Sequence, residues 1–569
     1  MDRIIFQKKS NFIVLFLIIL SITLLELLTM DYDIIIKNGR IIDGAGNPWY
    51  SGEIGIKDGK IAKISPKIKY DAKKVINAKG MIICPGFIDI HSHTDYILPV
   101  SRSQESTLCQ GVTTTVVGMC GDGMAPIPEG KEEEFKKVVG RIDPALTQLE
   151  YPYNSFKEYL EFNEKKRNSA NLVFFIGYGN LRRIGGQGGE DRPATSEEMD
   201  TMKGYVREAM DAGAFGMSTG LIYAPQLFAP TSEIIELAKV VAEYNGLYFS
   251  HIRGEGEFVT ESVKEVIEIV EKSSCTGGQI AHHKIAGEKY WGKSKDTIRL
   301  IAEANDRGIS ITCDQYPYNR GMSDLMSALP PWARKGDNDD ILERIKNPEV
   351  QKRIKEDVEK GIEGWENWIR DEGMNNLFIS TVTHDNWKDI ISKNVTEITK
   401  IKGLSDDFDT FFNLLIDNEL SVQITIRSMG EEDIRRIMTS RYQMVGTDGA
   451  GIPAAFSSGA FHPRFFGTYP RILGKYVRED RILTLEQAIR KMSSFPAQRL
   501  GLQDRGLIRE GNWADLVIFD PDRVIDKATY EHPYQLPEGI PYVIVNGVIV
   551  VEGGKKNRKA PGRVIRRPN

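Results

Sequence analysis

From residue 33 the chain alternates apolar and polar positions with a period of two. DIIIKNGRIID, GEIGIKDGKIAKI and KVINAKGMIICPG are broken by Asn-Gly, Asp-Gly and Lys-Gly pairs, which predicts short strands joined by tight turns. The far end repeats the pattern in ADLVIFDP (514–521) and PYVIVNGVIVVEGG (541–554). Two all-β ends around one middle predict a small β-sandwich built from both termini, residues 31–84 plus 505–569. Between 85 and 504 the pattern changes to apolar runs separated by amphipathic stretches, as in TSEIIELAKVVAEYNG followed by LYFSHIR. Strands are expected at 86–93, 112–120, 171–179, 213–219, 247–253, 278–284, 308–316 and 443–449, and no short repeat is evident. Eight such units predict an α/β protein whose main domain is a (β/α)8 TIM barrel. The interval 322–420 is long for one connection and rich in charge (KGDNDDILERIKNPEVQKRIKEDVEKG), so a largely helical insertion, placed as a lid over the barrel mouth, is expected there.

Composition narrows the possibilities. At 569 residues, 41% hydrophobic and 27% charged, the chain has material for a large core and is neither disordered nor fibrous. Its formal charge of -5 provides no broad positive field for a polyanion, so nucleic acid is not expected as a partner. Five cysteines without a CxxC spacing argue against a disulfide framework and leave one free to bind metal. Residues 12–25 form an apolar run preceded by Lys8 and Lys9, a signal or anchor pattern too short for an ordinary span of about 20 residues. Three readings stay open: a cytoplasmic protein, as the free thiols favour; membrane association or export through residues 1–30; or a true start at Met30, where a strand begins at once.

The candidate chemistry lies at strand ends, where barrel enzymes place their sites. His91 and His93 close the first expected strand in GFIDIHSHTD, two apart and so on one face. Cys120 ends TTTVVGMCGDG, His251 ends LYFSHIR, His282 and His283 follow GQIA, and Asp448 ends YQMVGTDG. Each alone has a structural alternative: a buried small hydrophobe for the cysteine, an Asp-Gly turn for Asp448. Together, six of the eight histidines (91, 93, 251, 282, 283, 462) fall at or just beyond strand ends. Imidazole, thiolate and carboxylate converging on one barrel mouth match zinc, whereas magnesium would want more oxygen.

With PGFIDIHSHTD, STGLIYAP, SHIRGE, AHHK, DQYPY, GTDG and HPRFFGTYPRILGKYVRE in view, the chain resembles the D-aminoacylase (N-acyl-D-amino-acid deacylase) family of the amidohydrolase superfamily over about residues 32–566. Many amidohydrolases bridge two metals with a carboxylated lysine on strand four; GAFGMSTG has no lysine, and Cys120 supplies the strand-two cysteine of this family instead. The resemblance implies a tight zinc on Cys120, His251 and His282, a weaker or empty second position at His91 and His93, and Asp448 as general base and then acid. It also implies substrate contacts by Lys284, Tyr316, Arg464 and Tyr223, the Arg464 fork suiting a carboxylate. Arg320, after YPY where the family has small residues, is a candidate reader of an acidic side chain. The implied reaction is zinc-dependent hydrolysis of N-acyl-D-amino acids, small molecules, to a carboxylate and a free D-amino acid; the preference for D rests on resemblance alone. Rival readings are a dihydroorotase- or hydantoinase-type cyclic amidase and an inactive scaffold.

Overall fold

The structure, a computed structural model, describes residues 31–140, 144–186, 188–456 and 459–568. The signal, anchor and Met30-start readings fall on residues 1–30, outside those described. Among the described residues no helix is long and apolar enough to cross a membrane.

Eight parallel strands form the barrel: β1 (Phe87–Asp89), β2 (Val112–Val117), β3 (Asn171–Phe174, resuming at Ile176–Gly177), β4 (Gly216–Gly220), β5 (Leu247–His251), β6 (Gly277–Ile280), β7 (Ile311–Gln315) and β8 (Gln443–Val445). Closure is made just beyond β1 and β8, where Asp448 N–H donates to His91 O at 2.8 Å and His93 N–H to Gly449 O at 2.7 Å. The period of two sorts the side chains. Ile88, Val116, Val173, Phe249 and Met444 share one cluster inside the barrel, while neighbours such as Val117, Leu172, Phe174 and Tyr248 face the surrounding helices. Those helices present matching stripes, for example Met202, Val206, Ala209 and Met210 of Ser196–Ala212. Several strands are shorter than expected, so His91, Cys120, His282 and Asp448 stand just past their strand ends, in the loops of the barrel mouth.

Strands from the two ends of the chain join in one nine-stranded sheet, with Leu516–Phe519 antiparallel to Ile82–Pro85. Its hairpins turn at Asp58-Gly59 and Asn546-Gly547, all four residues at positive φ, as a two-residue turn matched to strand twist requires. One face carries Ile54, Ile83, Leu516 and Ile544 into a core of its own. The alternate residues Ile82, Cys84, Val517 and Val543 pack toward the barrel. The tail leaves this sheet: Val564–Ile565 pair parallel with Leu172 and Val173 of β3, and Arg567 N–H donates to Gly213 O at 3.0 Å. The tail thereby fills the gap between β3 and the approach to β4.

The insertion is mostly helical and also holds a small sheet that the local sequence pattern does not signal. Three antiparallel strands, Arg320–Asp324, Leu377–Thr381 and Gln423–Arg427, frame it, and helices including Asn338–Lys346, Pro348–Lys360 and Asp407–Asp417 pack around a separate apolar core. The first strand, RGMSD, has no apolar alternation and so gives no strand signal.

Candidate active site

Cys120, His282 and Asp448 each turn the chain at positive φ (53°, 33° and 49°) where it leaves β2, β6 and β8. Such backbone is strained for residues other than glycine. Here it turns three reactive side chains inward over the barrel. Gly446, at the base of the same turn after β8, has to lack a side chain, since a Cβ would come within 2.7 Å of His91 Cβ.

The side chains converge. Cys120 Sγ lies 3.4 Å from His91 Nε2 and 3.6 Å from His282 Nε2, and His91 Nε2 lies 3.5 Å from Asp448 Oδ1. Bonds of about 2.0–2.3 Å at tetrahedral angles separate neighbouring ligand atoms by about 3.3–3.7 Å, the range in which these spacings fall. His251 abuts the group through a 2.8 Å contact between its Nδ1 and His282 Nε2. His93 Nε2 bonds Asp448 Oδ1 at 3.1 Å. The electrostatics also suit a cation. Burial alone would raise the Cys120 thiol, but His91 and hydrogen bonds from His251 and His282 hold its pKa well below the usual value, as a thiolate. Against burial, bonds to Asp448 and Cys120 push His93 up to about 10. Thiolate and carboxylate together thus draw positive charge into a buried pocket, and the donor set fits a divalent metal.

Behind these residues stands a layer the sequence did not reveal. Asp314 of β7 bonds His91 Nδ1 at 3.1 Å and accepts the His282 backbone N–H at 2.7 Å, which turns the His91 Nε2 toward Cys120. Glu255 accepts from Lys284 Nζ at 2.6 Å and lies 3.1 Å from His282 Nδ1. Its place four residues after His251 was the only available signal. His283 points away, to Thr297 Oγ1 at 2.8 Å, and burial pulls its pKa down to about 4.

A cavity of about 260 Å³ opens over the cluster, reached by His93, Tyr223, Lys284, Tyr316 and Arg464. Arg464 Nη1 lies 3.0 Å from Asp448 Oδ2. Yet among the described residues Nη1 and Nε of this buried guanidinium, like the Tyr316 hydroxyl, find no hydrogen-bond partner. The guanidinium lies over the Tyr316 ring, 4.6 Å from its centroid. Buried donors left open beside a cavity are expensive unless an acceptor arrives. Burial alone would raise the Asp448 carboxyl, but Arg464, His282, the bond to His93 and His91 hold it well below its usual range, ionised. Tyr223 sets its ring edge on His251, centroids 5.0 Å apart, and receives Ser323 Oγ at 3.4 Å. His462, noted among the strand-end histidines, supports Arg464: its Nδ1 accepts the Arg464 N–H at 3.0 Å and its Nε2 donates to Arg320 O at 2.9 Å. Arg320 does not reach the cavity. Its guanidinium is stacked 3.8 Å from the Phe378 ring centroid and 4.2 Å from that of Tyr530, which overturns its expected role with an acidic side chain.

Comparison with known proteins places this arrangement. A profile described as the amidohydrolase family matches residues 355–551. The chain is 32% identical to an N-acyl-D-glutamate deacylase of Alcaligenes xylosoxydans xylosoxydans over 94% of its length and 96% of that protein. It is 29% identical to a D-aminoacylase of the same organism over 94% and 98%. A crystal structure of the N-acyl-D-glutamate deacylase of Bordetella bronchiseptica, complexed with zinc and a phosphonate mimic of the tetrahedral intermediate, superposes with TM-score 0.78 at 30% identity, covering 94% of this chain and 99% of that one.

Proposed function

The chain belongs to the amidohydrolase family, in its N-acyl-D-amino-acid deacylase branch, and from that premise we propose that it is a metal-dependent hydrolase releasing D-amino acids from their N-acyl derivatives. The observation that carries the reading is one juxtaposition: the open donors of Arg464 and Tyr316 lie beside Asp448 and the thiolate-imidazole cluster. An N-acyl amino acid carries an amide and a carboxylate on the same carbon. The carboxylate satisfies Arg464, with Lys284 and Tyr316 adjoining, and so directs the amide toward Cys120 and Asp448. A cyclic amide without a free carboxylate would leave those buried donors open, and an inactive scaffold has no need of them.

We assign a tight zinc to Cys120, His251 and His282, the set the family resemblance implies, and His91 and His93 would form a second, weaker or empty position. Zinc at such ligands supplies Lewis acidity toward a carbonyl and makes water acidic near neutral pH. The protein's own groups do the rest. Asp448, ionised, takes a proton from the attacking water and returns it to the departing amine, the base and then the acid of one hydrolysis. Asp314 and Glu255 hold the imidazole rings in place, and Tyr223 walls the cluster on the side of His251. The test is metal analysis of the purified protein alongside a panel of N-acetyl-D-amino acids, N-acetyl-L-amino acids and a hydantoin. Stoichiometric zinc with turnover of D substrates is expected; turnover of the hydantoin alone would refute the assignment.

A further inference from the structure

The relative with 32% identity is named for glutamate, yet charges around the cavity point elsewhere. Among the described residues, three cationic side chains line it, Arg183, Lys284 and Arg464, and five acidic ones, Asp122, Glu255, Asp324, Glu372 and Asp448. Each cation already has an acid: Arg183 with Asp122 at 2.8 Å, Lys284 with Glu255 at 2.6 Å and Arg464 with Asp448 at 3.0 Å. That leaves Asp324 and Glu372, both on the insertion. Among the described residues Asp324 accepts only from Ser327, through N at 2.8 Å and Oγ at 3.0 Å. Glu372 keeps a buried Oε2 with no hydrogen-bond partner; burial, with Glu366 and Asp371 nearby, pushes its pKa well above the ordinary value, and a cation seated against it would restore its charge. Arg334 lies behind this wall, buried and within reach of the Asp324 charge, with Nη1 given to Ile222 O at 2.8 Å rather than to the carboxylate. The insertion wall also carries Met322, Met326, Trp368 and Ile426 beside the Gln423 amide, and its two hydroxyls are engaged, Ser323 with Tyr223 and Ser327 with Asp324.

We propose that this chain hydrolyses N-acyl-D-amino acids whose side chains are neutral or end in a cation, and that Asp324 excludes D-glutamate and D-aspartate while Glu372 receives a cationic tip. The proposal rests on the deacylase reading above. Once Arg464 holds the α-carboxylate, a second carboxylate has three surfaces available. Against the insertion it meets Asp324; beside Tyr96 and Ile97 it meets Arg183, whose Nη1 and Nη2 are already given to Asp122 and to Ala224 O; against Phe456, Phe461 and Phe465 it loses its water with no donor in return. A like charge or an unpaired buried charge raises the barrier in each place. A thioether or alkyl chain packs on the methionine, tryptophan and isoleucine side chains of the insertion, and an aminoalkyl chain brings its ammonium to Glu372.

The experiment compares kcat/KM for the N-acetyl derivatives of D-methionine, D-lysine, D-glutamate and D-aspartate with the zinc-loaded enzyme. D-methionine or D-lysine is expected to exceed both acidic substrates by about 100-fold. Asp324→Asn, which keeps an acceptor for Ser327, is expected to narrow that ratio about tenfold through faster turnover of the acidic substrates, and Glu372→Gln to lower kcat/KM for D-lysine about tenfold against D-methionine. Titration of the Asp448→Asn protein with N-acetyl-D-methionine and N-acetyl-D-glutamate reads the same discrimination as binding. Preference for D-glutamate or D-aspartate would overturn the proposal while leaving the deacylase reading intact; an acidic-substrate ratio unmoved in Asp324→Asn would overturn the role of Asp324, and a D-lysine to D-methionine ratio unmoved in Glu372→Gln that of Glu372. Failure of every N-acyl-D-amino acid to react would remove the deacylase reading itself and the proposal with it.

Discussion

Cys120, His282 and Asp448 show at the scale of single residues why this site was legible in part. Histidines are few, and their concentration at strand ends marks the metal cluster in the sequence itself. Asp314 and Glu255 escaped because an acid within a strand or four residues past a histidine has many ordinary explanations; only the folded contacts at 3.1 Å to His91 and His282 reveal what they hold. The open valences of Arg464 are equally invisible in the linear chain, because they depend on what packs around the guanidinium. The left-handed backbone at Asp448 guides the choice of variant, since asparagine tolerates that conformation. Asp448→Asn should therefore keep the fold and its zinc while kcat/KM falls by about 10²–10⁴. Turnover unchanged at full metal content would reject its proton-transfer role. Cys120→Ala should lower bound zinc, read by elemental analysis, because no other thiolate lies in the cluster formed by the described residues.

At the scale of elements, the barrel strands and the terminal hairpins were readable because burial on both faces, or Asp-Gly and Asn-Gly turns, leaves a strong local pattern. The insertion was readable only in its helices. RGMSD at 320–324 pairs with QITIR at 423–427 across about a hundred intervening residues, and nothing local announces such a partner. This element also carries a titrating group. Burial, with Glu255 close by, raises Glu366 to about 8, and its Oε1 accepts the Glu255 N–H at 3.1 Å. A carboxyl whose folded pKa is raised contributes its full stability below its unfolded value of about 4.5, and the contribution is lost as pH climbs through about 8. Glu366→Gln, which retains the acceptor, should melt close to the parent at pH 5 and above it at pH 8.5. Equal melting differences at the two pH values would show that Glu366 does not titrate in this window.

For the whole molecule, both termini matter to the barrel, and one buried amide ties them together. Asn171 of β3 donates to Asp515 Oδ2 at 3.1 Å, accepts from Asn546 Nδ2 at 2.8 Å and accepts the Arg563 N–H at 3.1 Å. It therefore touches the barrel, the terminal sheet and the tail at once. Asn171→Ala should lower the unfolding free energy by about 3 kcal/mol through the partners left unpaired, measured by urea denaturation, with the metal cluster untouched. A loss below about 0.5 kcal/mol would mean that water replaces the amide and that this junction is loose. The wedge of residues 564–565 against β3 has a consequence for synthesis. Arg563 reaches a partner 392 positions earlier, so a ribosome must deliver almost everything before the cylinder can be sealed. Until then its greasy lining stays open to solvent or to whichever chaperone attends it, and hydrogen-deuterium pulse labelling of stalled nascent chains should find the seam at Leu172 and Val173 to be the last to gain protection.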